Sequence, residues 1–291
     1  NVFTGRFDGV GHTITGLTIK SPTDTFGEYS RGMFACIEDH ARIENVSLKD
    51  ASVSGVKDVG GIVGIAVRST IRNVSFSGKV HGDGTAVGGI VGELDQYTLE
   101  NAYHEGTVEG KKAVGGIVGY AFSSVTVQNV RNAGKVVGNE ILGGIAGSVE
   151  WSSVRNALQT GTVEQRAGQG DQRVGGVVGL LKDDTVSHAV WKEGSVKDGN
   201  GALIRKGVGK EMGNTTVRDV KERSLDDMKK AATYAEWGSD VATEGGKGAP
   251  WRIYDGKTMP LLTALMKGTK RLEKVYDGKT FGDGDAHILS D

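Results

Sequence analysis

The sequence predicts an all-β fold: a parallel β-solenoid of about 27–28-residue coils, finished by a small C-terminal helical cap. Three observations predict it. The hexapeptide VGGIVG at Val59–Gly64 returns at Val87–Gly92 and Val114–Gly119, then as LGGIAG from Leu142 and VGGVVG from Val174. A second box, IENVSL from Ile43 and IRNVSF from Ile71 onward, keeps step with it, and a Gly-x-Val box completes each unit. The first glycines of the hexapeptides, Gly60, Gly88, Gly115, Gly143 and Gly175, stand 28, 27, 28 and 32 residues apart, with weaker copies at Gly32 and Gly201. A propeller blade would need about 40 residues and four strands, whereas each unit here offers three short β-like runs.

Composition excludes several function classes. The 291 residues carry 35 basic and 36 acidic side chains for a formal charge of -1, and without clustered Lys and Arg nucleic acid is excluded as a partner. No run of about 18 apolar residues is present to span a membrane. The six histidines, His12, His40, His81, His104, His188 and His287, show no metal-ligand spacing, so neither a metal nor another cofactor is expected. Cys36 stands alone and reads as a small buried apolar residue rather than a catalytic thiol. The chain opens at NVFTGRF without an initiator Met and stops in DAHILSD, which reads as a fragment of a larger polypeptide.

The polar residue of the second box is Asn45, Asn73, Asn101, Asn129 and Asn156, then His188 and Asp219. An apolar residue stands two places before it and another one place after it in every copy. A straight strand would turn them to opposite faces, whereas a bend at the Asn, which tolerates left-handed backbone, turns both inward. Stacked coils would set these side chains about 4.8 Å apart as a structural ladder that stabilises the solenoid from within. The Gly pairs pose a similar question, since a straight VGGIVG strand would leave an apolar stripe outside; a bend at the Gly pair resolves it. About seven or eight such coils over residues 1–223 give a solenoid of roughly 35–40 Å.

Residues 224–266 break the period. Ser224 reads as an N-cap with Asp226 and Asp227 in the first turn, and Leu225, Met228 and Ala232 repeat helically. This helix, with the Trp237, Trp251 and Leu261 cluster, is expected to cover the open strand edges of the last coil.

Candidate chemistry is sparse. Four residues after each hexapeptide stand Arg68, Gln96, Ser123, Trp151 and Asp183, with no recurring charge to assemble a catalytic pair. Asp183 and Asp184 beside Lys182 read as a solvated turn, and no catalytic residue is assigned. The tripeptides at Asn45, Asn73 and Asn214 match the glycosylation acceptor, although repeat patterning accounts for the first two. The 32-residue interval contains an insertion, Glu164–Arg173, whose Glu164, Gln165, Arg166, Gln169, Asp171, Gln172 and Arg173 form a candidate binding loop, or else a tolerated bulge.

The VGGIVG copies resemble the GLUG motif of large bacterial surface proteins, and FTGRFDGVGHTITGLTI at Phe3–Ile19 is similar to the coil that precedes such repeats in filamentous haemagglutinin-type adhesins. WRIYDGKTMPLLTAL at Trp251–Leu265 resembles the closing element of those regions, and KVYDGKTF at Lys274–Phe281 the first strand of a YDG-type repeat, making residues 267–291 a linker and the start of that repeat. The resemblance implies a right-handed β-helix, two-partner secretion from a Gram-negative cell through a pore partner, and display at the outer surface. The expected function is a structural stalk and adhesive segment binding a host receptor, a glycan or a neighbouring bacterium, without enzymatic activity. The alternative is an accessory region of a secreted protease or polysaccharide-cleaving enzyme, since GLUG repeats also occur beside protease modules.

Overall fold

Repetition of the boxes becomes repetition of layers. The computed structural model describes residues 2–20, 30–168, 173–244 and 248–266, so the expected linker and YDG-like start at 267–291 lie outside the described residues. Eight strands follow one another in the main sheet: Arg6–Thr15, Arg42–Gly55, Val63–Gly82, Val91–Glu109, Val118–Asn132, Ala146–Glu150, Val178–Lys182 and Val208–Met212. All are parallel, and box pairs with box: Val63 with Val91, Val91 with Val118, Val118 with Ala146, Ala146 with Val178 and Val178 with Val208. In the later coils the chain breaks at a bend, and Ser153–Gln159, Thr185–Lys192 and Thr216–Arg223 carry on the same face. A second parallel sheet stacks the valine-glycine pairs, as Val59–Gly60, Thr85–Gly88, Lys112–Gly115, Glu140–Gly143 and Val174–Gly175. The protein is therefore an all-β parallel solenoid.

The hexapeptide bends as its apolar pattern requires. Val59 and Gly60 belong to one sheet, Gly61 and Ile62 turn, and Val63 starts the next strand, so that Val59, Ile62 and Val63 are all fully buried. Close approach, rather than left-handed backbone, explains the glycines. A Cβ on Gly60 would strike the Val63 carbonyl oxygen, and one on Gly61 would enter the Phe76 ring. With Ala66, Ile71, Val74, Phe76 and Val80 also buried in this coil, and each large apolar side chain contributing roughly 1.5–3 kcal/mol of transfer free energy, the stacked interior outweighs any surface contact.

The C-terminal segment departs from expectation in form and in place. Ser224 Oγ accepts the Asp227 N–H at 3.1 Å, but the chain then winds into two 3-10 helices, Asp227–Lys229 and Ala231–Asp240, the second kinked at Tyr234 and Gly238. Tight turns bury Met228, Tyr234 and Trp237 and leave Leu225 and Ala232 exposed, so the expected α-helical periodicity is not the one used. Instead of covering the last coil, the segment lies along the side of the solenoid as a strap. Met228, Tyr234, Trp237 and Trp251 pack with the outward-facing Leu158 and Val190, and the Trp237 and Trp251 rings meet edge to face at 5.8 Å. Further along, Asn156 donates to Asp240 at 2.7 Å and Arg131 to the Pro260 carbonyl at 3.5 Å. Ala264, Leu265 and Met266 reach Asp8 and Asn45, beside the first coil. The edge of the last coil is left open among the described residues, with Met212 44% and Val217 41% exposed.

Candidate functional site

Two columns of side chains run up the solenoid, a polar one outside and one inside that is aromatic at both ends and polar between. In the outer column Asn45, Asn73, Asn101, Asn129, Asn156, His188 and Asp219 all adopt left-handed backbone, with φ between 52° and 55°. Bending there turns Ile71 and Val74 inward together, and both are fully buried. Asn73 donates to Asn45 at 2.8 Å, Asn101 to Asn73 at 2.9 Å, and Asn156 to Asn129 at 3.1 Å. At the first coil Asn45 donates to Asp8 at 2.9 Å, and this amide holds the Asp8 carboxyl below its ordinary range. Asn101 Oδ1 accepts from no described residue, so the ladder breaks between Asn101 and Asn129. His188 pairs with Asp219 at 3.2 Å, and Asp219 with Lys221.

This ladder does not act from within. Its side chains leave the bend on the outside, where the strap covers them, and a groove of about 500 Å³ between strap and ladder is lined by Asp8, Asn45, Asn73 and Leu265.

The inner column is Phe76, His104, Asn132, Gln159 and Trp191, in register layer upon layer and all buried. Each lies against the second Gly of a hexapeptide: Gly61, Gly89, Gly116, Gly144 and Gly176 in turn. That contact is why the second Gly recurs. Asn132 Oδ1 accepts from His104 Nδ1–H at 2.7 Å and from the Gly134 N–H at 3.0 Å, while its Nδ2 donates to the Gly144 carbonyl at 2.9 Å. Burial pushes the His104 pKa down to about 4. The imidazole is therefore neutral, and its Nδ1 proton follows from the bond to Asn132. Sequence reading passed over this column because it searched the histidines for metal partners. The available signal was the residue three places after each ladder position, which is large and apolar at Leu48, Phe76 and Trp191 and polar at His104, Asn132 and Gln159 between them.

The structure also gathers carboxylates that no single sequence column reveals. Asp58 is almost fully buried, and Glu93 beside it is pushed up to about 7, first by burial and then by the Asp58 charge, with Asp95 adding to the rise. Asp183 accepts the Asn214 N–H at 2.9 Å. Asp184 is not in a solvated turn: it is buried, its Oδ1 accepts the Ser152 N–H, its Oδ2 accepts nothing from a described residue, and burial pushes it to about 7. No cluster of metal-ligating side chains occurs among the described residues. No helix there is long and apolar enough to cross a membrane.

The candidate binding loop is tied down where it is described. Glu164 pairs with Lys135 at 2.6 Å, Arg166 donates to the Gly110 carbonyl at 2.7 Å, and Arg173 pairs with Glu140 at 3.5 Å. Gln165 is buried, donating to the Asn139 carbonyl at 2.8 Å and accepting the Gly199 N–H at 3.0 Å. These four therefore brace neighbouring coils, while Gln169, Asp171 and Gln172 lie outside the described residues.

Residues 55–80 match the GLUG motif. A stretch of 81 residues is 42% identical to halomucin of Haloquadratum walsbyi; it spans 28% of this chain and 1% of halomucin. The crystal structure of a protein from Bacteroides ovatus, described as a "putative immunoglobulin A1 protease", superposes with a TM-score of 0.63 over 89% of this chain and 77% of that one, at 18% identity. Likeness at that identity concerns the fold. The chain is thus a β-solenoid that carries a GLUG motif and shares its architecture with that structure.

Proposed function

We propose that this chain is a projecting arm of a secreted or surface-displayed repeat protein and that it serves attachment rather than turnover. The observation that carries the reading is the strap. It returns the chain from the last coil to the first, so that Phe3, packed on Phe34, and Met266, beside Asp8, lie at one end of the solenoid. The coils stand out from that base, and the edge of the last coil is open among the described residues. Such an arm spaces and presents a surface, as an adhesin requires. The GLUG match, the likeness to halomucin and the solenoid neighbour support a repeat protein outside the cell, and two-partner secretion to an outer-membrane surface is the route the resemblance implies.

The test is adherence of cells to beads coated with the 291-residue chain, against beads coated with a heat-unfolded sample. Adherence that needs the folded chain supports the arm; equal adherence of both samples contradicts it. Removing Ala167–Gln172 should leave folding nearly intact, because loop length alters closure entropy slowly, and unchanged adherence would remove this loop as the contact.

One observation favours a second reading, turnover. Glu93, protonated to about 7 beside the Asp58 carboxylate, has the pairing that general acid-base chemistry uses. Polysaccharide or immunoglobulin cleavage by the purified chain that disappears in Glu93→Gln would establish it.

A further inference from the structure

Arg131 is a half-buried cation that the fold leaves without an anion. It stands in the outward-facing column between Tyr103 in the coil before and Leu158 in the coil after, where the strap passes over the solenoid. The strap does supply a carboxylate one coil further on, since Arg155 meets Asp240 at 3.8 Å. To Arg131 it offers only the Pro260 carbonyl, at 3.5 Å from Nη1. The remaining contact is the Tyr103 ring, 5.6 Å from the guanidinium carbon. No described carboxylate pairs with Arg131, and its Nε is buried with no hydrogen-bond partner. A guanidinium carries five N–H donors and keeps its charge at any ordinary pH. One long bond to a carbonyl leaves most of that capacity unused, which is costly for a group partly withdrawn from water.

Beside this cation lies a cavity with apolar walls. Its volume is about 250 Å³, and it is lined by Tyr103, Arg131, Leu261, Leu262, Leu265 and Met266. Tyr103 gives its hydroxyl to Glu105 at 3.0 Å and so brings the cavity mainly its ring. Leu261 and Leu262 form a strand held antiparallel to Trp251 and Arg252, and Leu265 ends the turn that follows. Leu262 is itself buried in the cluster of Trp237 and Trp251, so the strap wall is anchored as firmly as the solenoid wall. The adjoining groove, which shares Leu265 and Met266, is different in character. It contains Asp8, whose carboxyl the Asn45 amide holds below its ordinary range. An anion is therefore drawn to Arg131 and repelled from the groove.

We propose that this cavity binds a small amphipathic monocarboxylate, its carboxylate on Arg131 and its aliphatic or arylalkyl body among Tyr103 and the strap leucines. Charge fixes the head group. A guanidinium suits a carboxylate through paired N–H bonds, and no second cation lines the cavity to match the double charge of a phosphate monoester. Volume fixes the body. Sites for drug-sized ligands run from roughly 300 to 1,000 Å³, so a smaller cavity suits a molecule of about ten non-hydrogen atoms. The site is independent of the attachment role, since it lies under the strap and not on the open edge of the last coil.

The test is calorimetric titration of the 291-residue chain at neutral pH with octanoate and with 3-phenylpropanoate. At least one of them should bind with a Kd below about 1 mM. Affinity should fall by up to about fourfold for each methylene removed from octanoate toward butyrate. Octanamide, which keeps the body and loses the charge, should bind roughly 10–100-fold more weakly than octanoate. Arg131→Gln and Arg131→Leu should weaken the acids by a similar factor, and Arg131→Lys should keep part of the affinity. Neither of the first two variants breaks an ion pair with a described residue. The Tm of the free Arg131→Leu chain should therefore hold or rise, while the increase in Tm that octanoate gives the wild type disappears. Leu265→Ser should weaken octanoate and leave acetate unaffected. Absence of binding by both acids overturns the site, and so does a Kd for octanoate that octanamide matches. A Kd that Arg131→Leu leaves within about twofold of the wild type, in a chain whose Tm shows it folded, overturns it equally.

Discussion

His104 occupies a position that the coil before fills with Phe76 and the coil after with Asn132, and its neutral ring is what lets a titratable group sit there. Its folded pKa of about 4 lies below the ordinary 6.5, so between those values the unfolded chain binds a proton that the native chain does not. The stability it contributes is present above pH 6.5 and is lost as the pH falls toward 4, on the order of 3 kcal/mol in all. Glu93 has the opposite sign: raised from 4.5 to about 7, it contributes stability that is present below pH 4.5 and lost as the pH rises through 7. Urea midpoints measured from about pH 4 to 8 should show His104→Phe flattening the acid limb; an unchanged acid limb would mean that the ring is not the buried neutral group described. The two columns also differ in cost. Asn132→Leu leaves the His104 Nδ1–H and the Gly134 N–H without their partner, at about 1–3 kcal/mol each. Asn101→Gly, on the outer ladder, frees only Asn73 Oδ1, keeps its left-handed backbone and should cost about 1 kcal/mol or less. Equal losses on denaturant unfolding would contradict this division between inner and outer columns.

Among the elements, the coil was the legible one and the strap was not, for a physical reason. A coil repeats, so Val59, Ile62 and Val63 recur with their glycines, and the bend that buries all three can be read from five copies. The strap occurs once, and its place depends on an outward-facing column, Ser47, Ser75, Tyr103, Arg131, Leu158, Val190 and Lys221, that turns apolar in two layers only. Leu158 and Val190 were the signal that something lies over that face. The carboxylates around Glu93 were hidden for a related reason, since Asp58 comes from the turn before a hexapeptide and Glu93 from the strand after the next one. If the strap is a separate layer on a self-sufficient stack, Trp251→Ala should cost about 3–5 kcal/mol locally. It should speed hydrogen exchange in residues 224–266 while the coils from Val63 to Lys192 keep their protection. Loss of protection throughout would show that strap and solenoid form one cooperative unit.

At the scale of the whole molecule, the proposed function rests on where the strap sends the chain. A strap over the last coil would make the solenoid a segment threaded end to end, a stalk in the literal sense. Laid along the side, it supports the proposed arm, with both described ends at the base and the edge of the last coil open among the described residues. The most direct measurement is a pair of electron-electron distances between spin labels in a Cys36→Ser background. One pair joins Asn45 to Ala264, which line the same groove, and the other joins Ala264 to Met212 on the last coil. The strap geometry predicts a first distance below about 20 Å and a second of roughly 30 Å, six coil spacings up the stack. The reverse order, with Ala264 near Met212 and far from Asn45, would contradict the arm and restore the end cap.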